Sequence, residues 1–438
     1  MTRRIGRAAF RTAGLAFLLT LAFAGNVPNE YRDVFIHLNT YMTGLHQDID
    51  RRWNHALYPD FVPMASLLPA NSNSGLDLLH EGNLELTALF ISRLREMGCR
   101  GVQLDIQFPV LDPNYYIFAK TRGFLPDSSP GAAEILAFYK AVVQEVRQQG
   151  LKLSIESQVV FTQSTWSSLP VAEYYHDFDA DGWPGLARYK QYKLDMLKTI
   201  ATELKPDYLT IGDEPETEMW LTGIRLLYNR ENYFQMTMEL TTGLRLAGPA
   251  GLKIGSGFLP GTDNWRYWAE HLNTLDIDFI NIHIYPIDIY TADRRDNVYQ
   301  RTLQAADMAA LAGKSMALGE TWLYKQAEGD TNDPVILYGR DYFDFWEPLD
   351  TKFLSLLLKI MHFKKFEFMS PFWSMFFFSY LSYEQARTLT TEQRKQLNNQ
   401  RAVANLRSGV LSDVGRAYSR MITQGPDVDL SKGSKRIR

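Results

Sequence analysis

Tyr208-Leu209-Thr210-Ile211-Gly212-Asp213-Glu214-Pro215 reads as a buried, largely apolar strand that ends abruptly on two carboxylates. A second stretch, Met316-Ala317-Leu318-Gly319-Glu320-Thr321-Trp322, has the same form and ends on Glu320. Working outward, six more short runs rich in β-branched and apolar residues complete a series: 62–68, 101–107, 151–157, 252–257, 279–285 and 366–371. Helix-period stretches separate them, at 84–97, 132–149, 186–204, 231–246, 264–275, 293–312 and 351–363. Gly150 and Gly313 follow two of these stretches, where a left-handed cap needs a residue without Cβ.

Strand and helix alternating eight times predicts parallel strands joined by crossover helices. A linker rich in Pro, Gly and Ser is missing between the units, which favours one closed (β/α)8 barrel over an open doubly wound sheet. The doubly wound alternative also needs a glycine-rich phosphate turn after its first strand, and Pro69-Ala70-Asn71-Ser72-Asn73-Ser74-Gly75 is not one. The expected class is therefore α/β, a single TIM barrel over residues 61–424. Residues 25–60 form an N-terminal extension, packed as a helix or irregular cover, and an extended eighth helix runs over 383–424. Residues 425–438 form a flexible basic tail.

At the start, Arg3, Arg4, Arg7 and Arg11 precede an apolar run from Ala13 to Phe23 and the small-residue exit Ala22-Phe23-Ala24. That is the pattern of a signal peptide over 1–24, and it predicts an exported protein, periplasmic or extracellular. The apolar run is shorter than the ~20 residues that span a bilayer, so no transmembrane span is expected in the mature chain. A net charge of -4 gives no basic field for nucleic acid. The single cysteine, Cys99, excludes an internal disulfide and a cysteine-rich metal site, and its apolar setting suggests packing. His-Glu-x-x-His, Gly-x-Ser-x-Gly and phosphate-loop patterns are absent.

In a barrel of this kind the site forms at the carboxyl ends of the strands, so the last residues of each strand are the candidates. Glu214 and Glu320 end the fourth and seventh strands and would face one another across the mouth. Two carboxyl groups about 5–5.5 Å apart allow one to protonate a leaving oxygen while the other attacks an anomeric carbon. A single strand-end glutamate reads equally well as a salt-bridged rim residue, and it is the pair that favours catalysis.

Gly212-Asp213-Glu214-Pro215 and Gly319-Glu320-Thr321-Trp322 resemble the strand-four and strand-seven motifs of the clan A glycoside hydrolases. Within the clan, the Gly-x-Glu and Glu-Thr arrangements look nearest to the arabinogalactan endo-galactanase type. The resemblance is architectural over most of the chain and specific only in these short stretches. It implies a retaining hydrolase of β-linked poly- or oligosaccharide that requires no cofactor, with Glu214 as acid/base and Glu320 as nucleophile.

Asn281-Ile282-His283-Ile284-Tyr285-Pro286 is similar to the clan's strand-six ending, which implies a hydrogen bond from Tyr285 to Glu320. Pro371-Phe372-Trp373 is similar to the strand-eight ending, where a tryptophan floors the sugar being cleaved. His283 and Trp322 join Tyr285 and Trp373 as expected substrate contacts; for the aromatic residues, ordinary packing is the competing reading. The chain departs from the clan at Asp213, where an asparagine is usual, and at the end of strand two, where Gln103, Asp105 and Gln107 stand instead of an arginine. Asp213, if ionised, raises the pKa of Glu214. Asp105 and Gln107 are the candidates for sugar hydroxyls. These departures also admit a barrel that binds glycans without cutting them.

After strand three, Trp166, Tyr174, Tyr175 and Trp183 are rings that could stack on sugar faces or pack within their own loop. The same loop holds Asp177-Phe178-Asp179-Ala180-Asp181-Gly182, similar to the start of a calcium loop, with Asp177, Asp179 and Asp181 as candidate ligands of a structural calcium. Arg188 occupies the twelfth position, where the bidentate glutamate belongs, so a solvated acidic turn is the competing reading.

Overall fold

The computed structural model describes residues 27–163, 167–285, 287, 297–326 and 339–430. The expected signal peptide at 1–24, Trp166, Pro286 and positions 431–438 of the basic tail lie outside these residues.

All eight expected strands form: β1 Val62–Pro63, β2 Gly101–Asp105, β3 Lys152–Glu156, β4 Tyr208–Thr210, β5 Lys253–Phe258, β6 Phe279–Ile284, β7 Ser315–Thr321 and β8 Phe368–Pro371. They pair in parallel in the order β1-β8-β7-β6-β5-β4-β3-β2. Backbone bonds close the remaining seam, from Arg100 N to Pro63 O (2.8 Å), Gln103 N to Ala65 O (3.1 Å) and Leu67 N to Gln103 O (2.9 Å). The result is the single (β/α)8 barrel that the alternation predicts. Its strands are buried almost throughout because helices cover their outer faces.

Inside the barrel, Val62, Met64, Tyr208, Phe279, Ala317 and Phe368 form an apolar layer toward the amino ends. Side chains two positions along a strand share a face, so Thr210, Asn281, Gly319 and Ser370 come next, and His283 follows Asn281. The lumen therefore changes from apolar to polar within one pleat, which places ionisable groups at the carboxyl end.

Helices Asn83–Met97, Ala132–Gln148, Trp183–Thr199, Arg230–Ala247, Trp265–Leu272, Val298–Leu311 and Glu347–Lys364 match the seven expected stretches. Gly150 (φ 68°) and Gly313 (φ 72°) take the left-handed conformation their places require. Helices Pro113–Thr121, Ala172–Ala180 and Pro215–Thr222 lie in connections that the periodicity left irregular. The extended eighth helix is three separate pieces, Tyr383–Ala386, Thr391–Ser408 and Asp413–Gln424. Left-handed Gly409 caps the second piece at φ 70° and breaks the run.

Helix Asn29–Arg52 buries Val34, Phe35, Leu38, Met42, Leu45 and Ile49, a stripe at helical spacing, against Glu347–Lys364. Lys359 Nζ ties that contact to both ends of the described chain, 2.6 Å from Asp50 and 2.8 Å from Asp427. Cys99 is buried, and burial pushes its thiol up to about 12. No helix among the described residues is long and apolar enough to cross a membrane.

Candidate active site

Glu214 leaves β4 as the residue immediately before helix Pro215–Thr222, a sharp strand-to-helix turn held by Gln158 Nε2 donating to Glu214 O at 2.7 Å. The helix is anchored from below by Glu218, which takes Lys193 Nζ at 2.6 Å, Tyr189 OH at 2.5 Å and Tyr233 OH at 2.8 Å. Lys193 and Glu218 are completely buried. The turn that aims Glu214 thus rests on a fully satisfied polar cluster.

Across the mouth, Tyr285 OH donates to Glu320 Oε2 at 2.6 Å, the bond expected from the strand-six ending. His283 stands between the two glutamates, with Nδ1 2.8 Å from Glu214 Oε1 and 3.6 Å from Glu320 Oε2. One carboxylate oxygen of each glutamate and the His283 nitrogen all lie within 4.8 Å of one another. That nearest-oxygen bound is compatible with the ~5–5.5 Å between the carboxyl groups of a retaining pair.

Two further buried carboxylates join them. Asp105 accepts from Ser66 Oγ and Asn71 Nδ2, both at 3.0 Å on Oδ2. Glu156, at the end of β3, accepts Asn281 Nδ2 at 2.5 Å and lies 3.3 Å from His283 Nε2. Its carboxylate occupies the space over Gly319, where a Cβ would stand 1.8 Å from Glu156 Oε1. Glu156 and Asn281 were not among the sequence candidates. The signal was present, since Ser154-Ile155-Glu156 ends a buried strand on a carboxylate as strands four and seven do.

Burial raises Asp213 well above the usual carboxylate range, and the charges of Glu156 and Glu214 add to it against His283. Burial and Glu156 likewise push Asp105 up to about 7. For Glu214, burial pushes the carboxyl up, but the hydrogen bond and charge of His283, with Thr217 Oγ1 donating at 2.6 Å, outweigh it and hold it below its ordinary value. Glu320 is raised well above, by burial first and then by Asp105, Glu156 and Glu214, with His283 offsetting part. His283 loses by burial and gains more from Glu320, Glu156 and Asp213, so it is raised well above an ordinary histidine. Two of these directions correct the sequence expectation. Asp213 faces His283, Oδ2 to Nε2 at 3.6 Å, and does not raise Glu214 as an ionised neighbour. Held neutral, it can donate a hydrogen bond as an asparagine would.

Gln107 lies in the wall, its Oε1 accepting from the backbone N–H of Gln158, so that oxygen is committed to the backbone. Trp373 is half-buried after β8, edge-on to Phe372 at 4.8 Å. Trp322 is a core residue, 1% exposed and stacked on Phe376 at 5.5 Å, which corrects its assignment as a substrate contact. Tyr174 and Tyr175 are also buried, donating to Asp112 and to Phe108 O, while Trp183 is exposed.

The calcium loop is corrected too: Ala172–Ala180 is a helix, so its carboxylates do not wrap around one point. Arg188 pairs with Asp177 (3.0 Å) and Asp181 (2.5 Å), and Arg225 pairs with Asp179 (2.9 Å). The arginine in place of the bidentate glutamate takes two of the three expected ligands.

No family model matches the chain, and no curated protein matches it. Among solved structures, an exo-β-1,4-mannosidase from Opitutaceae bacterium strain TAV5 is similar at 14% identity and a TM-score of 0.50, over 84% of this chain and 60% of that one. A Bacteroidetes-affiliated GH5 cellulase linked with a polysaccharide utilization locus has 12% identity and a TM-score of 0.48, over 84% and 92% of the two chains. An endo-β-1,4-mannanase from Thermotoga petrophila has 11% identity and a TM-score of 0.43, over 86% and 79%. At 14% identity the likeness to the mannosidase speaks for the barrel fold alone.

Proposed function

We propose that the protein is an exported retaining glycoside hydrolase of β-linked poly- or oligosaccharide, with Glu214 as acid/base and Glu320 as nucleophile. One observation carries the reading: the two carboxylates end strands four and seven with oxygens within 4.8 Å of one another, and Tyr285 holds Glu320 at 2.6 Å. In the first step Glu320 attacks the anomeric carbon while a proton passes from Glu214 to the leaving oxygen; in the second, Glu214 takes a proton from water as it displaces the sugar from Glu320. For Glu214 to serve as the acid it draws a proton from His283 Nδ1, 2.8 Å away. Asp105, Asp213, His283 and Trp373 are the proposed substrate contacts.

A reversed assignment, Glu214 as nucleophile and Glu320 as acid, has an observation of its own. Glu214 is the carboxyl held low and Glu320 the one held high. The position of the tyrosine donor and the strand-end resemblance favour the first assignment.

The test is release of reducing sugar from β-1,4-mannan, β-1,4-glucan and β-1,4-galactan, with Glu320→Gln as control. Binding without release on every glycan would leave a non-catalytic glycan-binding barrel. Export is tested by sequencing the amino terminus of the secreted protein, expected to begin at Gly25.

A further inference from the structure

Helix Pro215–Thr222 follows the Glu214 turn and carries a tryptophan that the double displacement does not use. We propose that Trp220 is a stacking platform for the leaving-group side of the substrate, so that the favoured leaving group is a chain of β-linked sugars rather than a single sugar or a simple alcohol. The inference rests on the glycosidase reading and deepens it, from the bond that is cut to the substrate that is chosen.

Placement is the first argument. Thr217 Oγ1 donates to Glu214 Oε2 at 2.6 Å, so the side of the helix that carries Thr217 is turned to the proposed acid/base. Trp220 stands three residues further on, a neighbour of Thr217 on the helix surface and about 4.5 Å along the axis from it. The acid/base gives its proton to the leaving oxygen. The helix that begins at Glu214 therefore borders the leaving group and not the sugar held over Glu320.

The helix is also fixed. Glu216 accepts Asn264 Nδ2 at 3.1 Å and Trp268 Nε1 at 2.8 Å from the connection after strand five, while Glu218 is held from below by Lys193, Tyr189 and Tyr233. With two faces tied, the helix cannot turn to bury Trp220. A platform already held in place spends less of its binding free energy on ordering.

Exposure is the third argument. Trp220 is 61% exposed, although its neighbours Met219 and Leu221 are buried. An indole left in water forgoes the stabilisation of burial. Its flat apolar face with one N–H at the edge suits the C–H face and hydroxyl rim of a sugar ring. Trp183 and Tyr228 are exposed as well, and Arg225, three residues before Tyr228, joins them: its backbone N and Nε donate to Asp179, four residues before Trp183, at 2.7 and 2.9 Å. Exposed rings scattered singly need no explanation, whereas three bordering the connections after strands three and four mark a surface for contact.

The test compares the parent protein with Trp220→Ala on an aryl β-monoglycoside and on β-1,4-linked manno-, gluco- and galacto-oligosaccharides of rising length. In the parent, kcat/KM is expected to rise about tenfold or more as the leaving group lengthens from one sugar to several. Trp220→Ala is expected to remove that gain through KM, and Trp220→Phe, which keeps a flat ring, to restore most of it. A parent indifferent to the length of the leaving group, or an alanine variant that keeps the parent's dependence, overturns the proposal. Should the parent cleave no glycan, the glycosidase reading fails by itself, and electrophoresis in gels containing the corresponding polysaccharides decides the platform. Retardation of the parent but not of Trp220→Ala supports it, and equal mobility of the two overturns it.

Discussion

Tyr285 reaches Glu320 across a single hydrogen bond of 2.6 Å, from the strand next to the one that carries the carboxylate. A donor to a charged acceptor contributes about 1.5–3 kcal/mol. Tyr285→Phe keeps the ring and removes the donor, so kcat/KM on a β-glycan is expected to fall roughly 10- to 150-fold, with little change in melting temperature. An unchanged kcat/KM in the folded variant rules out a part for this bond in catalysis.

Azide separates the two role assignments. With an activated aryl β-glycoside, Glu214→Ala is expected to complete the first step and, given azide, to release the β-glycosyl azide. Glu320→Ala is expected to lose that step and, with azide attacking directly, to give the α-glycosyl azide. Product stereochemistry read by NMR settles the matter, and the opposite pairing of variant and anomer exchanges the two roles.

Stability is expected to fall as pH rises through neutrality. Burial pushes Asp105, Asp341 and Glu347 each up to about 7, against ordinary values of 3.8, 3.8 and 4.5. The folded chain keeps protons that the unfolded chain has released, so their contribution is complete below the unfolded values and is lost as pH climbs through about 7. The melting temperature should be higher at about pH 5 than at about pH 8, and Asp341→Asn should flatten the slope. A flat or rising curve in the parent protein contradicts these directions.

Lys193→Met leaves Glu218 buried with its tyrosine donors and no cation. Removing one partner of a buried ion pair costs about 3–5 kcal/mol. Urea denaturation should show a loss of that size, and the double variant Lys193→Met with Glu218→Gln should recover part of it. Full independence of the two substitutions would show that the pair does not support the Glu214 turn.

Much of the barrel was legible because its evidence is local. An apolar run with β-branched residues and a glycine past a helix end each act within a few residues, and all eight strands and the left-handed caps at Gly150 and Gly313 follow from them. The approach of Glu214 to Glu320 was legible by position in the repeat. What escaped depends on three-dimensional neighbours. Glu156 matters because Gly319 leaves room for its carboxylate and Asn281 reaches it from β6. Asp213 looks like a fixed charge in sequence, and burial raises its carboxyl well above the usual range. Trp322 has the composition of a sugar platform and the surroundings of a core residue.

The first strand has a consequence for how the chain is made. Val62 and Pro63 pair with Phe368 and Met369 of the last strand, so this part of the sheet waits for nearly the whole barrel sequence before its ladder partner exists. A pairing that remote in sequence forms late and leaves apolar strand edges open while synthesis proceeds. Chains stopped before Phe368 are therefore expected to aggregate or be degraded rather than to persist as smaller folded units, and such a protein is well matched to a holding chaperone until its last strand has been made.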